Sequence, residues 1–267
     1  MSLHSTSSAS LFTSKSSKLT IHPPSRHNLD TLGNDAVQMI RRLRASHVFS
    51  NGYVNLRCQQ FPGCPSWLHP LDTSPNPEKS EQAAMGPAWA VLFPNLPVPE
   101  ILAAPCCSQF ALSRERALSL PRVRYEQLRD WLLHTHLKDS VSGRIFEYVW
   151  QFVFLGQAVA CPDELTCHCV GYGVCFQDQE EYTAWHRLRT ERDRLSHEVL
   201  VWRKQKKKAD LAVEKGMQDE WWEVQFPGEG GRLEALEAEV ERLQGVMRAK
   251  VAEAIGRGDE MTRDGRL

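Results

Sequence analysis

Nine prolines lie between residues 62 and 99, and they limit what this chain can fold into more than any other feature. Proline has no backbone N–H and clashes with the preceding helical turn, so this density excludes long helices and central strands. The nine are Pro62, Pro65, Pro70, Pro75, Pro77, Pro87, Pro94, Pro97 and Pro99. Loops with one short helix near residues 82–93 are predicted. A chain of 267 residues then has room for one domain of about 150 residues plus extensions.

Regular elements are predicted ahead of the proline-dense segment. Asn34 or Asp35 is placed to cap a helix whose apolar residues recur at intervals of three and four. Asn51 and Gly52 then mark a turn, and residues 53–58 alternate apolar with polar side chains as a strand does.

The segment from residue 106 to residue 160 is the most regular in its pattern. Residues 109–112 are typical of a buried strand, and Ser113 is placed to cap the helix that follows. A further helix begins at Asp139 or Ser140 and is apolar on nearly every face, which is typical of a core helix. We expect Phe146, Tyr148, Val149, Phe152 and Trp131 to pack against the buried strand.

The composition divides the chain into three parts. Residues 1–20 are Ser-rich and are expected to form a disordered tail, although a transit peptide is an alternative. Residues 21–181 form the expected domain, and residues 182–267 are a charged helical extension with a Gly/Pro break at 227–231. Apolar seams at heptad spacing predict a helical hairpin or a coiled coil, with helix-mediated self-association as one use. The seams are Trp185, Leu188, Arg192, Leu195, Val199 and Trp202, and then Leu233, Leu236, Val240, Leu243, Met247, Lys250 and Ala254.

Charge and motifs exclude several classes of function. The 32 basic and 33 acidic residues leave a net charge of −1, which gives no support for bulk nucleic-acid binding. No apolar run is long enough to span a membrane. Glycine-rich phosphate loops, a serine-hydrolase elbow and a metalloprotease helix motif are absent from the sequence. The basic run at 203–208 favours a solvated helix face over a nuclear signal.

Eight cysteines leave three alternatives open. Four of them follow the spacing C-x5-C-x-C-x5-C, and its five-residue gaps fit a zinc site poorly. A disulfide-stapled loop and free buried thiols are the other two alternatives. We expect local pairing within residues 161–175 and between Cys58 and Cys64. The disulfide or metal candidates are Cys58, Cys64, Cys161, Cys167, Cys169 and Cys175.

Glu147 is the most suggestive acidic residue, because it lies between Phe146 and Tyr148 on the predicted core helix. Burial there would penalise its charge. Glu147 is therefore either paired structurally with a nearby arginine or a catalytic carboxylate at a cleft.

Several separate motifs in a consistent order resemble a fungal family catalogued as domain of unknown function 3431. The resemblance covers roughly residues 21–185. The matching segments are GYVNLRC at 52–58, PGCP at 62–65, PCCSQFALSRER at 105–116, residues 125–133, SGRIFEYVW at 142–150 and residues 167–176.

This resemblance implies a glycosyltransferase-like protein with a GT-A-type α/β mixed sheet. It also implies transfer of a sugar from a nucleotide-sugar to a glycan acceptor, a divalent cation as cofactor, and the Golgi or secretory lumen as location. Glu147 would be the base that deprotonates the acceptor hydroxyl. The implied substrate-binding residues are His22, His27, Asn28, Asp30, Gln109, Ser113, Arg114 and Arg144.

Two departures from the family pattern weaken the implied activity. Arg26 stands where the family has Trp, and the strands and helices expected before residue 21 are replaced by the Ser-rich tail. The expectation is therefore a domain truncated at its N-terminus, without a signal or membrane anchor and inactive as written. The alternative function is a non-catalytic interaction protein with a cysteine-stapled module and a partner-binding helical tail.

Overall fold

The computed structural model describes residues 10–13, 17–22, 35–74, 76–214 and 231–267. Its strands are β1 (Ser10–Thr13), β2 (Ser17–His22), β3 (Tyr53–Asn55) and β4 (Phe110–Ser113). The helices are α1 (Ala36–Arg42), α2 (Ala45–Asn51), α3 (Ser80–Leu92), α4 (Arg114–Ser119), α5 (Arg122–His134), α6 (Asp139–Glu147), α7 (Trp150–Leu155), α8 (Glu164–Thr166), α9 (Gln179–Glu214) and α10 (Arg232–Arg263), with a π-helical turn at Cys167–Gly171. The chain divides into two compact units, one up to Gly173 and one from Val174.

The described part of the chain is mostly helical, so the prediction of a GT-A-like α/β mixed sheet is wrong. The named strands form one small sheet in the order β1-β2-β4-β3, and every pair in it is antiparallel. A mixed sheet requires parallel pairs joined by helical crossovers. Here the apolar segments pack as helices on helices instead. β1 and most of β2 also fall within the segment expected to be a tail, so the fold begins earlier than predicted.

Two predicted helix caps next to the sheet are confirmed. Asp35 accepts hydrogen bonds from Val37 N and Gln38 N at 2.8 and 3.3 Å and begins α1. Ser113 ends β4 and accepts from Arg116 N at 3.2 Å, which begins α4. The one helix expected in the proline-dense segment is α3.

An aromatic cluster forms the core of the first unit. The Trp89 ring lies 4.3 Å from that of Phe93 and 4.5 Å from that of Phe152, measured between centroids. On the sheet side, the Phe110 ring lies 5.2 Å from that of Tyr53. The expected core is confirmed: Phe146, Tyr148 and Val149 are buried, and Trp131 and Phe152 pack against the cluster at its edge.

The predicted core helix is interrupted after Glu147. α6 ends there, Tyr148 and Val149 form a turn, and α7 begins at Trp150. Tyr148 N and Val149 N donate to Ile145 O and Phe146 O at 3.2 Å, which is the tighter hydrogen-bonding pattern of a helix end. The break leaves Glu147 at a helix C-terminus rather than in the middle of a helix.

Two disulfide bonds join the segment after β3 to the segment around α8. Cys58 is bonded to Cys167 and Cys64 to Cys161. The expected Cys58–Cys64 pair is therefore wrong, and so is local pairing for Cys161 and Cys167. The described residues contain no free cysteine.

The second unit is built on α9 and α10, which pack against each other in antiparallel directions. Arg257 pairs with Glu181 at 2.6 Å, and Arg203 pairs with Glu237 at 2.7 Å. Apolar side chains are buried along both helices: Trp185, Leu195, Val199, Trp202, Leu243, Met247 and Ala254. In the described residues, no helix is both long and apolar enough to cross a membrane.

We expect Trp89→Ala to lower the free energy of unfolding by about 3–5 kcal/mol, because the ring is fully buried between aromatic neighbours. Leu133→Ala, at a side chain that is 70% exposed, is the control and should change it by less than about 0.5 kcal/mol. Urea denaturation measures both. Equal losses would mean that the aromatic cluster is not the core.

The two long-range disulfides are nested, because Cys64 and Cys161 both lie between Cys58 and Cys167. With one bond intact, the other closes a ring of only about a dozen residues, so removing either pair by Cys→Ala should cost about 3 kcal/mol. Removing both pairs also releases a loop of about 100 residues. The free energy of unfolding should then fall by about 7 kcal/mol in total. Denaturant unfolding of the three variants tests this, and a double loss smaller than either single loss would contradict it.

Candidate functional site

A turn between residues 104 and 109 presents two adjacent cysteines. Cys106 and Cys107 are bonded to each other. Cys107 and Ser108 both have positive φ values, 84° and 50°, in the left-handed region that side chains other than glycine rarely adopt. Two such residues in succession need support from their surroundings, and they occur mostly at functional sites.

A buried arginine supports the turn from below. The side chain of Arg57 is 1% exposed; its Nη1 contacts Sγ of Cys106 and lies 3.2 Å from Sγ of Cys107. Asn55 fixes the backbone on both sides of this contact. Its Nδ2 donates to Pro105 O at 2.8 Å, and its Oδ1 accepts from Arg57 N at 2.8 Å. A permanent cation is therefore held against both sulfurs.

Glu147 holds the same turn from the other side. Its Oε1 accepts a hydrogen bond from Cys107 N at 2.7 Å. Burial raises the pKa of Glu147, against the opposing effects of the Cys107 amide, Tyr148 and Arg144. Burial and the negative charge of Glu147 also raise the pKa of the Tyr148 phenol. The structure thus places a shielded carboxyl group beside the paired cysteines.

The two sulfurs and a carboxylate oxygen of Glu147 all lie within 4.8 Å of one another. Disulfide sulfurs are poor metal ligands, because the thiolate is the form that binds metals. The oxidised turn is therefore not suited to holding an ion. The zinc alternative for the other cysteines fails for the four that are paired over long distances.

A cavity of about 460 Å³, with more apolar than polar surface, lies near this turn. It is lined by β3, α2 and the segment from Gln151 to Cys167, and Ala104 and Asn55 connect its wall to the cysteine turn. Its polar lining comprises His47, Asn51, Asn55, Gln151, Gln157, Asp163 and Thr166, and apolar side chains such as Val54, Leu155 and Val159 fill the gaps.

Two polar groups of the cavity wall have distinct surroundings. Gln151 is fully buried, and its Nε2 donates to Tyr148 O at 2.7 Å, while its Oε1 has no hydrogen-bond partner among the described residues. Burial and the charge of Arg44 lower the pKa of His47, which favours the neutral ring. Asn51 Nδ2 lies 3.3 Å from Nδ1 of His47, and because an amide nitrogen can only donate, Nδ1 accepts and Nε2 carries the proton.

The structure brings few of the predicted substrate residues together. Gln109 is buried, and its amide has no partner among the described residues. Ser113 is occupied as a helix cap, and Arg114 is exposed at the start of α4. Arg144 pairs with the buried Glu81 at 3.1 Å.

Four predicted residues remain. One lies at the end of β2, and the other three lie in the segment 23–34, which is outside the described residues. The backbone of His22 pairs with Phe110 at the end of β2. His27, Asn28 and Asp30 lie outside the described residues.

Sequence reasoning missed Arg57 and the cavity. Arg57 is a polar position in the regular alternation of the predicted strand, between Leu56 and Cys58, and that pattern predicts an exposed side chain rather than a buried one. The adjacent Cys106 and Cys107 are visible in the sequence, but nothing in it shows that they bond to each other. The cavity residues come from segments that are distant in the sequence, and no local pattern connects them.

The chain belongs to the family described as "Protein of unknown function (DUF3431)", whose model matches residues 10–170. The match confirms the family that the sequence motifs resemble and gives no activity for it. It covers both the cysteine turn and the residues that line the cavity, up to Cys167. No curated protein and no solved structure matches the chain.

The raised pKa of Glu147 makes a prediction about stability. The unfolded carboxyl ionises at its ordinary pKa while the folded one keeps its proton to higher pH, so wild-type stability falls as pH rises between these two values. Glu147→Gln removes this loss and keeps an oxygen for Cys107 N. We expect the unfolding free energy of the variant, relative to wild type, to rise between pH 4 and pH 7.

Urea denaturation across that pH range measures the difference. Glu100→Gln, at an exposed loop position, is the control and should show no such trend. A constant difference for Glu147→Gln would mean that its carboxyl ionises normally in the folded state.

Proposed function

We propose that the domain binds an uncharged saccharide in this cavity. The observation that carries this proposal is the set of uncharged polar side chains in the cavity wall, among which Asn51 and Gln157 are exposed and can be reached by a ligand.

The chemistry of the lining favours hydroxyl groups over charged groups. Side-chain amides and a neutral imidazole can each donate and accept, which matches the two roles of a sugar hydroxyl. The apolar side chains between them suit the C–H face of a sugar ring. Among the described residues that line the cavity, none is Lys or Arg, and Asp163 contributes a negative charge. A diphosphate group would therefore meet no opposite charge there.

This chemistry favours binding of a glycan over transfer from a nucleotide-sugar. Transfer would need Glu147 beside the bound acceptor, but Glu147 is not among the residues that line the cavity, and its Oε1 accepts from the Cys107 amide. The correction of the fold also removes the GT-A-like sheet from which the catalytic role of Glu147 was argued. These observations support a disulfide-stabilised binding module, which corresponds to the cysteine-stapled module of the alternative function.

The second half of that alternative, recruitment of a partner by the helical tail, has less support. Its apolar seams are the surfaces through which α9 and α10 pack on each other, and Leu195, Val199, Leu243 and Met247 are buried there. A partner would have to compete with that contact.

Binding of neutral methyl glycosides and disaccharides, with UDP as the charged comparison, tests the proposal by titration calorimetry. We expect at least one neutral saccharide to bind. Asn51→Ala and Gln157→Ala should each weaken that binding about fivefold, which corresponds to one hydrogen bond. Asn95→Ala, at an exposed residue away from the cavity, is the matched control and should leave it unchanged.

Two results would contradict the proposal. If UDP binds and neutral saccharides do not, the site recognises a nucleotide instead. If no saccharide in the panel binds, or if binding survives both cavity substitutions, the cavity is not a saccharide site.

A further inference from the structure

We propose that the Cys106–Cys107 bond is a redox-active disulfide that a low-molecular-weight thiol reduces to a dithiol, with Arg57 stabilising the leaving thiolate and Glu147 handling the proton. The proposal does not rest on the proposed saccharide function, because none of Cys106, Cys107, Arg57 and Glu147 lines the cavity. Four observations carry the proposal: the adjacency of the two cysteines, the exposure of one of them, the cation beneath them and the carboxyl group beside them.

Adjacency shows that this bond is not a structural crosslink. A disulfide stabilises a fold mainly by restricting the unfolded chain, and the effect grows with the length of the loop it closes. Cys58–Cys167 and Cys64–Cys161 close loops over sequence separations of 109 and 97 residues. Cys106–Cys107 has a separation of one and closes almost no loop. Its contribution to stability through the unfolded chain is therefore negligible.

Exposure distinguishes this bond from the Cys58–Cys167 bond. Cys58 is 0% exposed, and its partner Cys167 is also buried. Cys107 is exposed at the surface, whereas Cys106 is buried beneath it. An incoming thiol can therefore reach Sγ of Cys107, and the electron pair leaves toward the buried Sγ of Cys106.

Arg57 lies where the leaving charge develops. Its guanidinium contacts Sγ of Cys106, and thiol–disulfide exchange is faster when the leaving thiolate is stabilised. A nearby cation also favours the thiolate form of cysteine, which is its reactive form. Arginine remains charged at all accessible pH values, so this stabilisation is permanent.

Glu147 completes the site. A carboxylate oxygen lies within 4.8 Å of both sulfurs, and the hydrogen bond from Cys107 N keeps it there. The shielding that raises the pKa of Glu147 suits a carboxyl group that takes up and gives back a proton.

The proposed exchange has two steps and balances. The thiolate RS⁻ attacks Sγ of Cys107, the Cys106–Cys107 bond breaks, and Cys106 leaves as a thiolate beside Arg57, giving a mixed disulfide between Cys107 and R. A second RSH passes its proton to Glu147 and attacks the sulfur of R. RSSR is released, and the Cys107 thiolate takes the proton back from Glu147. The protein gains two electrons and ends with a Cys106 thiolate and a Cys107 thiol, while one RS⁻ and one RSH are oxidised together to RSSR.

The first experiment locates the reducible bond. The oxidised full chain is equilibrated with mixtures of reduced and oxidised glutathione, quenched with acid, denatured and alkylated, and each cysteine is scored by peptide mass spectrometry. We expect Cys106 and Cys107 to become half reduced at a glutathione ratio at least about tenfold less reducing than the ratio that opens the two long-range pairs. If the long-range pairs open first or at the same ratio, the proposal is wrong.

The second experiment tests the two supporting groups through the rate of reduction by glutathione. Glu147→Gln should slow reduction at pH 7 by about tenfold or more. The pH dependence due to Glu147 should disappear, and only that due to ionisation of the glutathione thiol should remain. The matched control Glu100→Gln should reduce at the wild-type rate with the wild-type pH profile. Arg57→Met should slow the reaction by a similar factor at every pH, because its cation does not titrate.

Arg57 is fully buried, so the rate of Arg57→Met is interpreted only if the variant keeps the wild-type circular dichroism. Glu147→Gln decides the outcome independently, since Gln preserves the shape and the acceptor for Cys107 N. An unchanged rate and pH profile in Glu147→Gln would overturn the proton-handling role. A wild-type rate in a folded Arg57→Met would overturn the role of the cation.

Discussion

The first unit depends on the two disulfides that hold the segment after β3 against the segment around α8. β3 has only three residues, and no regular element directly follows it to hold the chain that leaves it. The Cys58–Cys167 and Cys64–Cys161 bonds supply the missing constraint. Both Cys161 and Cys167 line the cavity, so the same bonds that hold the loops also shape the candidate binding site.

The proline-dense segment explains why the unit needs such bonds. Prolines cannot donate to a sheet, so this part of the chain contributes α3 and loops rather than strands. The aromatic cluster around Trp89 then takes the place of a large sheet as the centre of packing. The segments that join these helices are long and lie at the surface. Disulfide bonds between two such segments restrict their movement where a larger sheet would otherwise do so.

Predictions from the sequence were correct where the interaction joins residues that are close in the chain, and wrong where it joins distant ones. The caps at Asp35 and Ser113 were predictable because each depends on residues two or three positions away. The pairing of Cys58 with Cys167 was not, because sequence spacing favoured the nearby Cys64 and carries no information on a contact over 109 residues. The prediction of a GT-A-like sheet was wrong because it came from the family resemblance. Short apolar runs could not correct it, since they do not reveal whether they pack as strands or as helices. Glu147 was recognised as a shielded carboxyl group, but its contact with the Cys107 amide depends on the helix break at Tyr148, which no local pattern marks.

Asn55 is the point at which the two candidate sites meet. One face of it lines the cavity, and its amide holds both Pro105 O and Arg57 N at 2.8 Å. Reduction of Cys106–Cys107 would release Cys107, which has a positive φ value, and Cys106, which directly follows Pro105. A movement there must either stretch the hydrogen bond to Asn55 or move Asn55 with it, which changes the cavity wall. Because linkage between two sites is reciprocal, a ligand that fixes Asn55 would also favour the oxidised turn that Asn55 now holds.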